Sequence, residues 1–437
     1  MGDATIVNEI STGEHLIPQP SSSQQFLSPG SLPDRNSLDR LLTFLKHDGQ
    51  EGAVALGGQM GDTDWQALAV YAKRVGLAQV LFHRVQALTI PLPDGVTEQL
   101  QQNFYWTAAR NLRFSRQVAE LVREFSQHNI PVVLLKGAYL VDHVYENIAL
   151  RSMADIDLLI PRESIPAAIE IARGAGFMPD RSFLNDADGV LHYHAPPVHR
   201  NDLVIELHWS LTRESNLSTI NVEDLWARAR GIDLNGIGVL TLCPEDLLAH
   251  LAVHAAYGHR FHNQLRSLYD IEVVLQKFGP QLDWQAFLER CRQWQAERGV
   301  YLALQLLVDM FASPVPENVL VELRPADYTL KAKEAALASL LELNPVMSEN
   351  FVRLMHGSSL SERVSGLWNG LFPRRELVAM ELDLPPRSWR IWPAYPVHVF
   401  RSIRKYWRHA WRLLLGNKRA VSGDLARMTV NKYLKVG

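Results

Sequence analysis

The stretch Arg151–Ile160, "RSMADIDLLI", decides how this chain is read. Asp155 and Asp157 stand one residue apart and run into the apolar Leu158, Leu159 and Ile160. Side chains alternate faces along a strand, so both carboxylates project to one side, roughly 6.5–7 Å apart, while Ile156 and Leu158 turn to the other. Like charges held this close raise each other's pKa unless a cation lies between them. A divalent ion removes the conflict, and Mg²⁺ is commonly held by one or two carboxylates together with substrate phosphates.

The flanking sequence supplies the rest of such a site. "PVVLL" from Pro131 is a short apolar run bounded by turn signals, the pattern of a buried strand. The helix "GAYLVDHVY", the strand "ADIDLLI" and the helix "RESIPAAIEIARGAGF" follow, with further strand candidates at "GVLHYH" and "DLVIELHW". In the last of these, Glu206 alternates with Ile205 and Leu207, which puts a third carboxylate on a half-buried strand. Three carboxylates from adjacent strands can hold two metals ~3.5–4 Å apart and clamp the attacking and leaving oxygens of a phosphoryl transfer. At the strand-to-helix turn "LLKGAYL", Gly137 permits close backbone approach, the starting helix offers free N–H groups and Lys136 adds positive charge, a combination suited to phosphate. Arg151, just before the aspartates, is a second cation for phosphate oxygens. His208 shares the face of Glu206, where it either orients a metal ligand or touches substrate, or is simply a satisfied, half-buried histidine.

The order "LLKG", "LRSMADIDLLI", "VIELHW", "PEDLLAHLAVH" resembles the uncharacterised bacterial nucleotidyltransferase family of the polymerase-β-like superfamily, over residues 60–300. Gly137 matches that superfamily's turn, Asp155 and Asp157 its acidic pair, and Glu206 its third acid. The resemblance implies an α+β fold, with a small mixed-sheet core flanked by helical regions. It also implies Mg²⁺ or Mn²⁺ on Asp155, Asp157 and Glu206, with phosphates steadied by Lys136, Gly137 and Arg151. The activity implied is transfer of a nucleoside monophosphate from a triphosphate such as ATP to an acceptor hydroxyl, with release of pyrophosphate. This chain departs from the superfamily in carrying Lys136-Gly137 where Gly-Ser is usual, and in a longer distance from turn to acids. Two rival functions are a glycosyltransferase with an Asp-x-Asp metal site, against which the helical sequence before residue 131 counts, and a non-catalytic partner protein on the same fold.

Around the core, the sequence divides into a Ser/Pro/Gln-rich leader over 1–35, expected to be disordered, a helical region over 36–130, the core over 131–242, a helical domain over 243–345 and an extension over 346–437. Within 36–130, "DTDWQALAVYAKRVGLAQVLFHRVQAL" is helical with Asp62 or Thr63 as its cap, and the segment from Val96 to Asn129 is one helix of about nine turns. The segment from Pro314 to Pro396 has a looser pattern. His250 and His254 stand four apart, a spacing that can bind zinc, but no nearby acid completes that motif. The expectation is instead that His254, with Arg266 and Asp270, packs the helical domain against the catalytic cleft, next to substrate.

The formal net charge of −3 gives no strong nucleic-acid signal. Val397 to Gly437 nonetheless carries +9, which leaves −12 on the rest. Phe400, Ile403, Trp407, Trp411 and Leu414 form an apolar stripe, with Arg401, Arg404, Lys405, Arg408 and Arg412 beside it. A basic amphipathic helix of this kind either docks on the chain's own acidic body or, through 397–419, meets a membrane surface or another anionic partner. Two distant cysteines, no secretory pattern in the first thirty residues and no apolar run of about 18 residues point to a cytoplasmic protein that is at most peripheral to a membrane.

Overall fold

The apolar spacing of "SLDRLLTFL" yields α1 (Arg35–Leu45), and α2 (Gln50–Gln59) follows. The structure, a computed structural model, describes residues 35–46, 49–179, 193–212, 220–343 and 419–435, with a few positions between 361 and 400. The leader and most of the basic segment 397–419 lie outside the described residues. The helical pattern from Asp62 is broken at Gly76, whose φ of 75° is left-handed, so it forms α3 (Asp62–Arg74) and α4 (Ala78–Ala87). The cap of α3 is Gly61 rather than Asp62 or Thr63, and no side chain bonds there. The long helix is present as α5 (Asp94–Gln127).

The chain forms two compact units, one of Met1–Val118 with Leu140–Met153, the other of Ala119–Tyr139 with Ala154–Gly437. In the first, Phe44 and Trp65 are buried with ring centroids 5.3 Å apart. The buried Asn111 of α5 donates its amide to the carbonyls of Ile148 and Arg151, each at 2.7 Å, and Arg110 donates to that of Met153. One face of α5 thereby fixes the loop that leads towards the aspartates.

The second unit holds a seven-stranded mixed sheet in the order β3-β4-β5-β2-β1-β7-β6. Its strands are β1 (Val133–Leu134), β2 (Ile156–Leu159), β3 (Met178–Pro179), β4 (Val198–Arg200), β5 (Leu203–His208), β6 (Arg230–Leu234) and β7 (Ile237–Thr241). β2 runs parallel to β5 and β1 parallel to β7, while the other neighbours are antiparallel. α6 (Lys136–His143) leaves β1, and α7 (Ile165–Gly174) leaves β2 after a 3₁₀ turn. Of the candidate "GVLHYH", only Tyr193 and His194 are described, and His194 bridges His208. The hairpin β6–β7 was not anticipated. It turns on Asn235 (φ 52°) and Gly236 (φ 81°), the two positive dihedrals that a two-residue primed turn requires.

Helices then accumulate: α8 (Val222–Arg228), α9 (Pro244–Val253), α10 (Leu265–Phe278), α11 (Trp284–Gln293), α12 (Glu297–Phe311), α13 (Glu317–Leu323), α14 (Leu330–Leu341) and α15 (Arg419–Leu434). Among the described residues, the looser segment from Pro314 thus contains the helices α13 and α14. Fully buried Asp246 accepts from Arg228 at 2.8 Å and Arg290 at 2.9 Å, which ties α8, α9 and α11 together. Asp283 caps α11 by accepting from the N–H of Ala286 at 3.0 Å.

Candidate active site

Strand alternation and register together build the site. Asp157 lies opposite Glu206 across the parallel β2–β5 pair, and Ile156 opposite Ile205 and Leu158 opposite Leu207 fill the other face. Asp155 sits two residues before Asp157, at the mouth of β2, and keeps an exposed surface, whereas Asp157 is buried. Backbone bonds hold this frame: Leu135 N–H donates to the carbonyl of Asp157 at 3.1 Å and Ile160 N–H to that of His208 at 2.9 Å.

Lys136 and His208 answer the buried carboxylate. Lys136 Nζ is 2.9 Å from Asp157 Oδ1. His208 Nε2 is 2.8 Å from the same oxygen and 3.2 Å from Glu206 Oε2. Lys136 has a φ of 39°, a left-handed backbone that a non-glycine residue adopts only where its surroundings impose it. The ion pair at its tip is one such constraint. Tyr193 and His194 stand beside His208, with ring centroids 5.2 and 5.1 Å away.

These partners split the two aspartates. Mutual repulsion predicts that both are raised, but only Asp155 is, first by desolvation and then by Asp157, with Lys136 pulling the other way and Glu206 adding to the rise. Asp157 behaves oppositely. Burial alone would raise it, yet Lys136 and the His208 hydrogen bond hold it well below the usual carboxylate range. Burial likewise favours neutral forms of Lys136 and His208, and in both the carboxylate contacts win, so both are raised. Glu206 is lowered: the His208 hydrogen bond outweighs its burial and the charge of Asp157.

The donor set suits a divalent ion. Asp157, Glu206 and His208 each offer one ligand atom, and those atoms lie within 4.8 Å of one another. Asp155, raised by burial and then by the charge of Asp157, supplies a further oxygen at the strand mouth.

The profile of the uncharacterised nucleotidyltransferase family matches residues 61–312 of this chain. The chain belongs to that family. No curated protein and no solved structure matches it.

Within this nucleotidyltransferase family member, the second unit brings together Lys136, Gly137, Asp155, Asp157, Glu206 and His208. Arg151 falls in the first unit, where its side chain is buried. Arg266 acts by charge on Asp155, and His254 feels the charges of both Lys136 and Asp157. Asp270 is buried on α10. Sequence reasoning passed over Tyr193 and His194, whose signal was their place in the strand candidate next to "IELHW". It also passed over the pairing of Lys136 with Asp157, a side-chain contact between positions 21 apart that no local pattern marks.

Proposed function

We propose that this protein transfers a nucleoside monophosphate from a nucleoside triphosphate to an acceptor hydroxyl and releases pyrophosphate. The in-register placement of Asp157 opposite Glu206, with Asp155 two residues earlier, carries the reading. It gathers three carboxylates beside one buried lysine, a composition with no purpose in packing and a direct one in holding a metal-bound polyphosphate. When bound there on Asp155, Asp157 and Glu206, Mg²⁺ or Mn²⁺ supplies Lewis-acid stabilisation of charge on the transferring group.

The protein's own groups do the rest. His208, buried and unable to turn away, fixes one oxygen each of Asp157 and Glu206. Glu206, held on one oxygen, keeps the other to take the proton of the acceptor hydroxyl as the new bond to the α-phosphorus forms. The α–β phosphoanhydride bond breaks, and its electron pair leaves on pyrophosphate. Lys136 and the start of α6 at Gly137 lie on the same side as Asp157 and steady the phosphates.

The test is calorimetric titration with each nucleoside triphosphate, in Mg²⁺ and in chelator, of wild type, Asp155→Asn and Glu206→Gln. Mg²⁺-dependent binding that either substitution weakens at least about tenfold is the expected result, the scale of one lost charged contact. Binding indifferent to both carboxylates, or none to any triphosphate, overturns the reading and returns the chain to a non-catalytic partner role.

A further inference from the structure

The turn after α9 concentrates polar chemistry that nucleotidyl transfer at the carboxylates leaves unused. It starts as a π-helical segment, His254–Gly258, closed by the N–H of His259 on the carbonyl of His254 at 3.2 Å. Arg260, Phe261 and Asn263 follow with φ of 52°, 60° and 51°. Left-handed residues without glycine persist only when surrounding structure over-determines them, and both features concentrate at functional sites. Here the clamps are visible. Ser339 Oγ donates to the carbonyl of Arg260 at 2.8 Å, Asn263 N–H donates to that of Ser339 at 3.3 Å, and Arg260 Nε donates to Asn431 Oδ1 at 2.8 Å. α14 and α15 thus hold the turn in shape.

The turn presents a histidine pair. His254 and His259 meet with Nε2 atoms 3.1 Å apart and rings inclined at 75°. Behind them lies His250, 1% exposed, with neither ring nitrogen partnered among the described residues and its centroid 6.3 Å from that of His254. Positive charge reaches all three rings. Lys136 repels a proton from each, and His262, Arg266 and Arg427 repel one from His259. Burial first, and then these charges, push His259 down to about 4. The acid that pulls the other way on His250 and His254 is Asp157, already paired with Lys136. Arg427, half-buried on α15, has no hydrogen bond or ion pair among the described residues. A metal cation on the histidine pair would add charge to an already positive surround. An anion relieves it.

We propose that His254, His259, Arg266 and Arg427 form the receiving site for the β- and γ-phosphates of the donor, and hence for the pyrophosphate that leaves. The ligand's identity rests on the nucleotidyl-transfer reading. Arg266 links the two sites, since its charge also reaches Asp155. The guanidinium forks match phosphate oxygens, and each imidazole adds one N–H donor once the anion offsets the neighbouring cations. α15 thereby becomes part of the substrate site, although it lies beyond the residues that the family profile matches.

The probes are inorganic pyrophosphate and tripolyphosphate, titrated calorimetrically in chelator into wild type, His259→Gln, Arg427→Gln and Asp155→Asn, with melting temperatures as a folding control. Expected is binding to wild type that the His259 and Arg427 substitutions each weaken about tenfold or more, and that Asp155→Asn does not weaken. If wild type ignores both anions, or the two substitutions change nothing while the protein still binds a triphosphate with Mg²⁺, the inference falls and the nucleotidyl-transfer reading stands. If the anions bind through His259 and Arg427 while no nucleotide binds at all, the anion site stands and the nucleotidyl-transfer reading falls.

Discussion

Asp155 and Asp157 differ by two positions in sequence, yet asparagine at the two should move stability in opposite directions. Asp157 is buried and shares one oxygen with Lys136 and His208. Its folded pKa lies well below the usual value, so its contribution is complete above the unfolded pKa and is lost only as pH falls through the folded one. At pH 7.5 all of it is present. Asp157→Asn strips the counter-charge from a buried lysine, and breaking such a pair costs roughly 3–5 kcal/mol. At about 2–4 °C per kcal/mol for a domain of roughly 150–250 residues, the melting temperature falls by about 6–20 °C. Asp155 is raised, so its ionised form opposes folding, but its exposed surface and solvent screening keep the gain from Asp155→Asn within about 1 kcal/mol. Thermal unfolding followed by circular dichroism at pH 7.5 in chelator checks both variants. Equal shifts of the same sign would refute the division of charge described here.

Burial first, then Lys136 and His208, push His250 down to about 3 against the pull of Asp157, so the unfolded chain binds its proton from about pH 6.5 downwards while the folded chain refuses it. Stability therefore falls with pH in that window, by about 2 kcal/mol from this residue at pH 5; His250→Leu should flatten that slope in denaturant titrations at pH 7 and pH 5. Cys243 and Cys291 are buried thiols, the first pushed up to about 11 by burial and the charge of Asp246, the second further still. Neither should react with iodoacetamide at pH 8 until the protein is unfolded, as mass spectrometry would show. A methyl at Gly299 collides with the ring of Tyr257 and stands 2.8 Å from Ala256 Cβ, so Gly299→Ala should cost about 1–3 kcal/mol in urea unfolding.

The carboxylate group was legible because strand alternation is a short-range rule. The spacing of Asp155 and Asp157, and of Glu206 between Ile205 and Leu207, already fixes which face each residue takes. The hairpin β6–β7 was also written plainly, in Asn235-Gly236 between apolar alternations, and was passed over among stronger strand signals. Other features were not readable. The left-handed backbone of Lys136 is imposed by its surroundings, including an ion pair 21 positions along the chain. The geometry of the His254–Asn263 turn depends on Ser339 and Asn431, which no local pattern connects to it.

That last dependence has a consequence for how the molecule is made. Arg260 and Asn431 are separated by 171 positions. At a synthesis rate of about 5–20 residues per second, a ribosome needs roughly 9–34 s to produce the second after the first. During that interval α10 to α14 are made and can condense on the strand pairs and α9, and the turn bearing His254 and His259 gains its Ser339 clamp well before its Asn431 clamp. The proposed anion site would therefore be completed late in biogenesis, and a chain interrupted after α14 would keep its carboxylates and the Ser339 clamp but lose that of Asn431.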